Sequence, residues 1–380
     1  MKDSNQPLLN SNLEKYKTIV DTYLGENALR NHSFVNKLVR KNIKNLKPYS
    51  SARHEFKGKA KIYLDANENP FNNGMNRYPD PMQWKVKEPL AKIKGVTTEN
   101  IFLGNGSDEP IDLLMRIFCE PGLDNIITLP PTYGMYQVSA DINNVGIKKV
   151  NLTSDYQLDV PAILATVDKH SKILFICSPN NPTGNSVDRS EVEQLIQKFN
   201  GIVVIDEAYI DFSSEESCLD FIETYPNVVV LQTFSKAWGM ANIRLGMAFS
   251  NQTIIKLLNK VKPPYNISEL SQKAALLAFK HQDKVKETVR TILKERSRLE
   301  DRLPRFSFVE EVNPSDANFI LAKVQSPKQL YDFLVTRGII VRDRSSVVLC
   351  EGCLRFSIGQ PKENDSLIKA LERWEGLQSG

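Results

Sequence analysis

Four apolar, β-branched runs constrain this chain more than any other feature. They are Ile126–Leu129, Lys172–Cys177, Ile202–Ile205 and Val228–Leu231. None alternates with polar residues, so each needs cover on both faces. The stretches between them, Thr132–Ser139, Val160–Val167 and Arg189–Phe199, carry helix-like patterns. Steady alternation of strand and helix predicts a parallel sheet covered on both sides. Ligands of such sheets bind where the strands end. The residues directly after each strand therefore carry the functional reading.

The flanks extend this frame. Ile62–Leu64 and Ile101–Leu103 read as further strands, and Gln83–Lys94 and Ile111–Phe118 as helices. Leu38–Leu46 has helical spacing up to Pro48, and Leu13–Leu24 suggests a helix in a polar N-terminal segment. Ser268–Leu303 reads as one long charged helix that leads to a second domain. Beyond it, strands at Asn318–Lys323 and Cys353–Ile358 mix with helices at Pro327–Thr336 and Asn364–Trp374, a small α+β pattern.

Composition excludes several classes. The chain has 380 residues, 41% hydrophobic and 25% charged, with a formal net charge of +4. That balance is ordinary for a globular protein and carries no nucleic-acid signature. No apolar run reaches the roughly 18 residues of a membrane span, and the polar N-terminus lacks a signal core. Five cysteines, mostly in apolar surroundings, suit a reducing, cytoplasmic setting. Cys350 and Cys353 form a lone C-x-x-C without a second pair or clustered histidines, so no metal site is expected.

Four strand-end clusters can meet in one pocket. Gly106-Ser107-Asp108 opens a helix, where small residues and free N–H groups suit an anion; Gly104-Asn105-Gly106 lacks the third glycine of a dinucleotide fingerprint. Ser178-Pro179-Asn180-Asn181-Pro182-Thr183-Gly184 is a rigid turn that can aim an amide and can hold a cis X-Pro bond. Asp206-Glu207-Ala208-Tyr209 places a carboxylate at the end of a buried strand, where it needs a positive partner. Thr233-Phe234-Ser235-Lys236, followed by Arg244, supplies a lysine that burial would make nucleophilic, beside a hydroxyl and a guanidinium. Tyr133 adds an aromatic face. Lysine, carboxylate, amide and phenol, aromatic and anion cradle together fit pyridoxal phosphate.

The same residues carry a family resemblance. The chain resembles the histidinol-phosphate aminotransferases, fold-type-I pyridoxal-phosphate enzymes, from about Leu38 to Trp374. SPNNPTG at 178–184, Asp206-Glu207-Ala208-Tyr209 and Ser235-Lys236-Ala237 mark the wider class I and II aminotransferases. Pro48-Tyr49-Ser50-Ser51-Ala52-Arg53, Asn76-Arg77-Tyr78-Pro79, Val341-Arg342-Asp343 and Cys353-Leu354-Arg355 point to this member. Trp238–Asn242 departs from the smaller apolar residues common there.

The resemblance implies a fold and roles. The fold is a large, mostly parallel α/β/α domain at 61–280 and a smaller α+β domain at 281–380. An N-terminal arm at 37–60 adds to the substrate site, and an extension at 1–36 carries nothing over. Lys236 would hold the cofactor, Asp206 face its ring nitrogen, Asn181 and Tyr209 its phenolate oxygen, and Tyr133 its ring. Gly106, Ser107, Asp108, Ser235 and Arg244 would cradle its phosphate, with Tyr78 reaching in from the second subunit of a homodimer. Tyr49, Asn67, Asn181, Arg342 and Arg355 would line the substrate site. The implied reaction moves an amino group between histidinol phosphate and 2-oxoglutarate. The two arginines are out of pattern in strand-like runs; a structural arginine there would pair with an acid such as Asp343 or Glu351. A broad-range aminotransferase and a decarboxylase of phosphorylated amino acids are the nearest rivals.

Overall fold

A computed structural model describes residues 32–48 and 61–378. Its centre is a seven-stranded sheet in the order β1-β7-β6-β5-β4-β2-β3. The strands are β1 (Ile101–Asn105), β2 (Asn125–Thr128), β3 (Gly146–Lys149), β4 (Ser171–Cys177), β5 (Ile202–Asp206), β6 (Val228–Thr233) and β7 (Leu245–Ser250). Strands β2 to β6 pair in parallel, while β7 runs antiparallel to both β6 and β1. One reversed strand in an otherwise parallel sheet leaves the ends of β1, β4, β5 and β6 and the start of β7 on one edge.

Period-two geometry explains the apolar runs. Val203 and Ile205 of β5 pack into one core, with Leu174, Ile176, Val228 and Val230. Ile202 and Val204 pack into the opposite core, with Ile173, Phe175, Val229 and Leu231. Helices cover both faces: α1 (Trp84–Lys94), α2 (Asp108–Phe118), α3 (Met135–Ile142), α4 (Val160–Thr166), α5 (Arg189–Lys198), α6 (Gln252–Val261) and α7 (Glu269–Phe279). A fully buried valine or isoleucine contributes about 1.5–3 kcal/mol, so the two-sided cover supplies much of the driving force.

Helix α8 (Gln282–Arg302) leads to a second, antiparallel sheet of order β10-β11-β9-β8. Its strands are β8 (Val309–Val312), β9 (Phe319–Val324), β10 (Arg342–Asp343) and β11 (Cys353–Ser357), packed with α9 (Pro327–Val335) and α10 (Pro361–Gln378). A third core, including Leu299, Phe308, Leu354 and Trp374, fills the space between sheet and helices.

Several expectations are corrected. Ile62–Leu64 forms no strand among the described residues; Ile62 and Leu64 are 74% and 90% exposed, so neither side chain supplies the burial that would hold one. The helix expected over Ser268–Leu303 is two. The buried Phe279 ring packs with Phe234 and Trp238, and the Gln282 amide donates to the Phe279 carbonyl at 3.1 Å, which caps α7 and turns the chain. The pattern over Leu38–Leu46 is likewise broken: residues 32–38 and Lys41–Asn45 are helical, with Arg40 extended between them. Helix α3 starts three residues later than expected, after a cis Pro130–Pro131 bond, so Tyr133 precedes the helix. Strands β3 and β7 and helix α6 lie in stretches the sequence reading left unassigned. The helix suggested at Leu13–Leu24 and the candidate Tyr49 lie outside the described residues.

Candidate active site

The strand ends meet around a cavity of about 150 Å³ lined by Gly106, Ser107, Asp108, Tyr133, Cys177, Asn181, Asp206, Ala208, Tyr209, Thr233, Ser235, Lys236, Ala241 and Arg244. Every cofactor-site candidate except Tyr78 lies in this lining. A larger cavity, about 600 Å³, lies elsewhere, with Asn67, Arg77, Tyr78 and Tyr265 in its wall. We place the site by chemistry rather than size, because only the smaller cavity gathers an amine, a buried carboxylate and a helix start.

The cradle forms where β1 turns into α2. Gly106 has φ +71°, and its N–H donates to the Arg244 carbonyl at 3.0 Å. The positive φ favours glycine, and a Cβ at Gly106 would lie 2.7 Å from Arg244 Nη2, so a side chain there would also push the guanidinium aside. Gly246 stands opposite Gly104 in the ladder, and a Cβ there would come within 2.2 Å of the Gly106 carbonyl carbon. Ser107 precedes the helix without capping it through its side chain. Its hydroxyl and the first-turn N–H groups thus remain available to an anion. Arg244, left-handed at φ 49°, sits just before β7, and its Nη2 lies 3.5 Å from Asp108 Oδ2. Asp108 Oδ1 also accepts from the Tyr133 hydroxyl at 3.1 Å.

The carboxylate comes from the end of β5. Asp206 is 3% exposed; it accepts the Tyr136 hydroxyl at 2.7 Å and the Ala208 N–H at 3.2 Å. Burial dominates and raises its pKa to about 6, against the lowering effect of those two bonds. Tyr136 is wholly buried and was missed as a site residue; its place in Tyr133-Gly134-Met135-Tyr136 reads as core, and only the bond to Asp206 reveals its task. Burial pushes the Tyr136 phenol well up.

Lys236 follows β6, half-buried, its Nζ 5.4 Å from the Tyr209 ring centre. Burial, then the Arg355 charge, lowers its pKa, with Arg244 acting the same way and Asp206 and Asp108 opposing. The loop that holds it is tied back by the Ser235 N–H to Thr233 Oγ1 and the Phe234 N–H to the Leu245 carbonyl, both at 3.1 Å.

The 178–184 turn aims Asn181. Asn180 anchors it to the Pro131 carbonyl at 2.8 Å and to Thr183 Oγ1 at 2.7 Å, and the Ser178–Pro179 and Asn181–Pro182 bonds are cis. Asn181 Nδ2 donates to the Tyr209 hydroxyl at 3.3 Å, while Arg355 Nη1 donates to Asn181 Oδ1 at 2.5 Å. The Arg355 guanidinium also lies 4.9 Å from the Phe319 ring centre. Arg342 stands directly opposite Arg355 in the β10–β11 ladder. The two nearby acids bond elsewhere: Asp343 Oδ1 accepts from the Ser345 N–H at 2.8 Å, and Glu351 Oε1 from the Leu349 N–H at 3.2 Å. Asn67 and Tyr78 stay away from Lys236 in the same chain. Tyr78 is 51% exposed and stacks on Tyr265 with ring centres 4.4 Å apart.

Comparison with known proteins gives the family. Residues 59–371 match the model for aminotransferase class I and II. A histidinol-phosphate aminotransferase of Parabacteroides distasonis is 55% identical over 88% of this chain and 97% of its own length. Another, of Cytophaga hutchinsonii, is 54% identical over 89% of this chain and 98% of its own length. Among solved structures, a histidinol-phosphate aminotransferase of Sinorhizobium meliloti in complex with pyridoxal-5'-phosphate superposes with a TM-score of 0.74 at 25% identity, covering 80% of this chain and 84% of that one. The chain belongs to the class I and II aminotransferases and, within them, to the histidinol-phosphate aminotransferase family.

Proposed function

We propose that this protein transfers the amino group of histidinol phosphate to 2-oxoglutarate, reversibly, as a step of histidine biosynthesis. The carrying observation is the convergence of Lys236, Asp206, Asn181, Tyr209 and the Gly106–Ser107 helix start on one cavity, in a chain 55% identical to a relative of that name. The donor set fits pyridoxal phosphate: a buried carboxylate held by two hydrogen bonds, an amine of lowered basicity and an anion cradle beside Arg244. When bound, the cofactor supplies an aldehyde that exchanges amines and a protonated ring that withdraws electrons from the substrate carbon.

In this reading Lys236 carries the cofactor, and Asp206, held by Tyr136 and Ala208, keeps the ring nitrogen protonated. Asn181 and Tyr209 face the phenolate oxygen, and Tyr133 lies against the ring. Ser107, Ser235, Arg244 and the α2 start hold the phosphate. The free Lys236 amine would carry the proton between the substrate carbon and the cofactor's aldehyde carbon, as base and then acid. Its lowered pKa suits both tasks. Arg355 and Arg342 bind the distal anion, phosphate in one half-reaction and carboxylate in the other. Because Arg355 also bonds Asn181, which bonds Tyr209, occupancy of the anion site is felt at the cofactor's oxygen.

The same reading divides the chain into a cofactor domain at 61–280 and a smaller domain at 281–380. It also makes the protein a cytoplasmic homodimer with shared sites. Five unpaired, buried cysteines suit a reducing compartment. The half-exposed Tyr78, away from its own Lys236, suits a role in the neighbouring site. An amino-donor panel on the purified holoenzyme tests the substrate: histidinol phosphate should be the best donor by kcat/KM, with 2-oxoglutarate as acceptor and ping-pong kinetics. Preference for phenylalanine or tyrosine, or carbon dioxide release from a phosphorylated amino acid, would refute it.

A further inference from the structure

The anion end of the site carries more positive charge than a single carboxylate needs. Arg342 and Arg355 stand directly opposite each other, an arrangement in which like charges repel. The ladder continues one step further, because the Arg344 N–H donates to the Cys353 carbonyl at 3.0 Å. Arg344 therefore follows β10 with its backbone still bonded to β11, and the alternation of an extended chain puts all three arginines on one face. Burial, followed by the charges of Arg355 and Arg342, holds the Arg344 guanidinium below its usual range, with Cys350 and Tyr209 opposing. Burial likewise lowers Arg355, with Arg342 acting the same way and Tyr209 opposing. Among the described residues, Arg344 Nε and Arg355 Nε are both buried without a hydrogen-bond partner. Folding has gathered three guanidinium groups and left two of their donors unpaired, beside Tyr209 and Asn181 of the Lys236 cavity. Unpaired buried donors cost stability, so this face keeps its charge for a ligand.

We propose that Arg344 is a third guanidinium of the anion subsite and sets its preference for a phosphate dianion over a carboxylate. The inference rests on the histidinol-phosphate reading and deepens it. A phosphate monoester offers nearly two charges and three acceptor oxygens, enough for three guanidinium groups. A carboxylate offers one charge and two oxygens, which one arginine fork satisfies. Arg344 is thus a specificity-determining residue whose loss is felt in one half-reaction and spared in the other.

The test uses the holoenzyme and the variants Arg344→Gln and Arg344→Lys, with thermal melting to show that each is folded. Binding of inorganic phosphate and of glutarate is measured by calorimetry, and the two half-reactions are followed separately by cofactor absorbance. Arg344→Gln should weaken inorganic phosphate and the histidinol-phosphate half-reaction by about tenfold or more, the loss expected for a charged hydrogen bond. Glutarate binding and the glutamate half-reaction should change by less than about threefold, and Arg344→Lys should recover part of the phosphate loss without the fork geometry. Equal losses toward phosphate and glutarate would reduce Arg344 to a support for Arg355, and an unchanged phosphate affinity would remove it from the subsite; either overturns the proposal. If the wild-type protein does not use histidinol phosphate, the substrate reading fails, and the phosphate-against-glutarate comparison still decides the role of Arg344.

Discussion

Gly106→Ala tests whether Arg244 holds the cofactor phosphate. The added methyl has two separable effects. The first is strain, because alanine at φ +71° costs about 1–2 kcal/mol, which lowers Tm by a few degrees in a chain of this size. The second is displacement. The new Cβ would lie 2.7 Å from Arg244 Nη2, whereas carbon contacts are comfortable at about 3.5–4.0 Å. The guanidinium must therefore retreat by roughly 1 Å, and an arginine fork displaced that far loses a charged hydrogen bond worth about 1.5–3 kcal/mol. Cofactor Kd should rise about tenfold to more than a hundredfold, read by absorbance titration of the cofactor-free protein. At saturating cofactor, kcat should stay within about threefold of wild type, since Lys236 and Asp206 are untouched. Gly95→Ala is the control: it shares the strain at φ +69° but has nothing within 4 Å of the added carbon. It should lower Tm without changing Kd. If Gly106→Ala melts like Gly95→Ala and binds cofactor as wild type does, Arg244 is not at the phosphate.

Three further outcomes follow from the same geometry. Tyr136→Phe removes a hydrogen bond that lowers the Asp206 pKa, so the acid limb of the kcat/KM profile should move to higher pH; an unmoved limb would deny Tyr136 a positioning role. Arg355→Ala should lower kcat/KM in both half-reactions by about tenfold to over a hundredfold while leaving the cofactor bound, and Arg355→Lys should rescue only part; near-normal turnover of histidinol phosphate and glutamate would show the anion site misplaced. Mixing inactive Lys236→Ala with inactive Tyr78→Ala subunits should restore about a quarter of wild-type activity at random exchange in a two-fold dimer, and no recovery despite proven exchange would count against shared sites.

What the sequence discloses depends on how each element is buried. Strands β4, β5 and β6 are legible because both of their faces are covered, which forces unbroken apolar runs. Strand β7, Leu245-Gly246-Met247-Ala248-Phe249-Ser250, is just as buried, but small residues at 246, 248 and 250 alternate with its large ones, and Gly246 must clear the Gly106 backbone. Its composition therefore hides it, and with it the reversal that brings Arg244 to the right edge. Strand β3 has no buried residue and sends no apolar signal. Helix α6 differs: Ile254, Ile255, Leu257 and Leu258 are buried on one face at a readable helical spacing. The site was legible where chemistry demands unusual residues at strand ends, as with Lys236, Asp206 and Asn181. Tyr136 and Gly246 were not, because each acts through a neighbour that only the folded register supplies, the Asp206 carboxylate and the Gly106 backbone; Arg344 was not, because only that register sets it beside the Arg342–Arg355 pair.

The central claim is that Lys236 carries the cofactor, and one measurement addresses it directly. The purified protein should be yellow, and borohydride should bleach it and fix the cofactor irreversibly to the chain. Proteolysis and mass spectrometry should then find the added mass on the peptide containing Ser235-Lys236-Ala237, and Lys236→Ala protein should take up no covalent label. Label on any other lysine, or undiminished labelling of Lys236→Ala, would contradict the account.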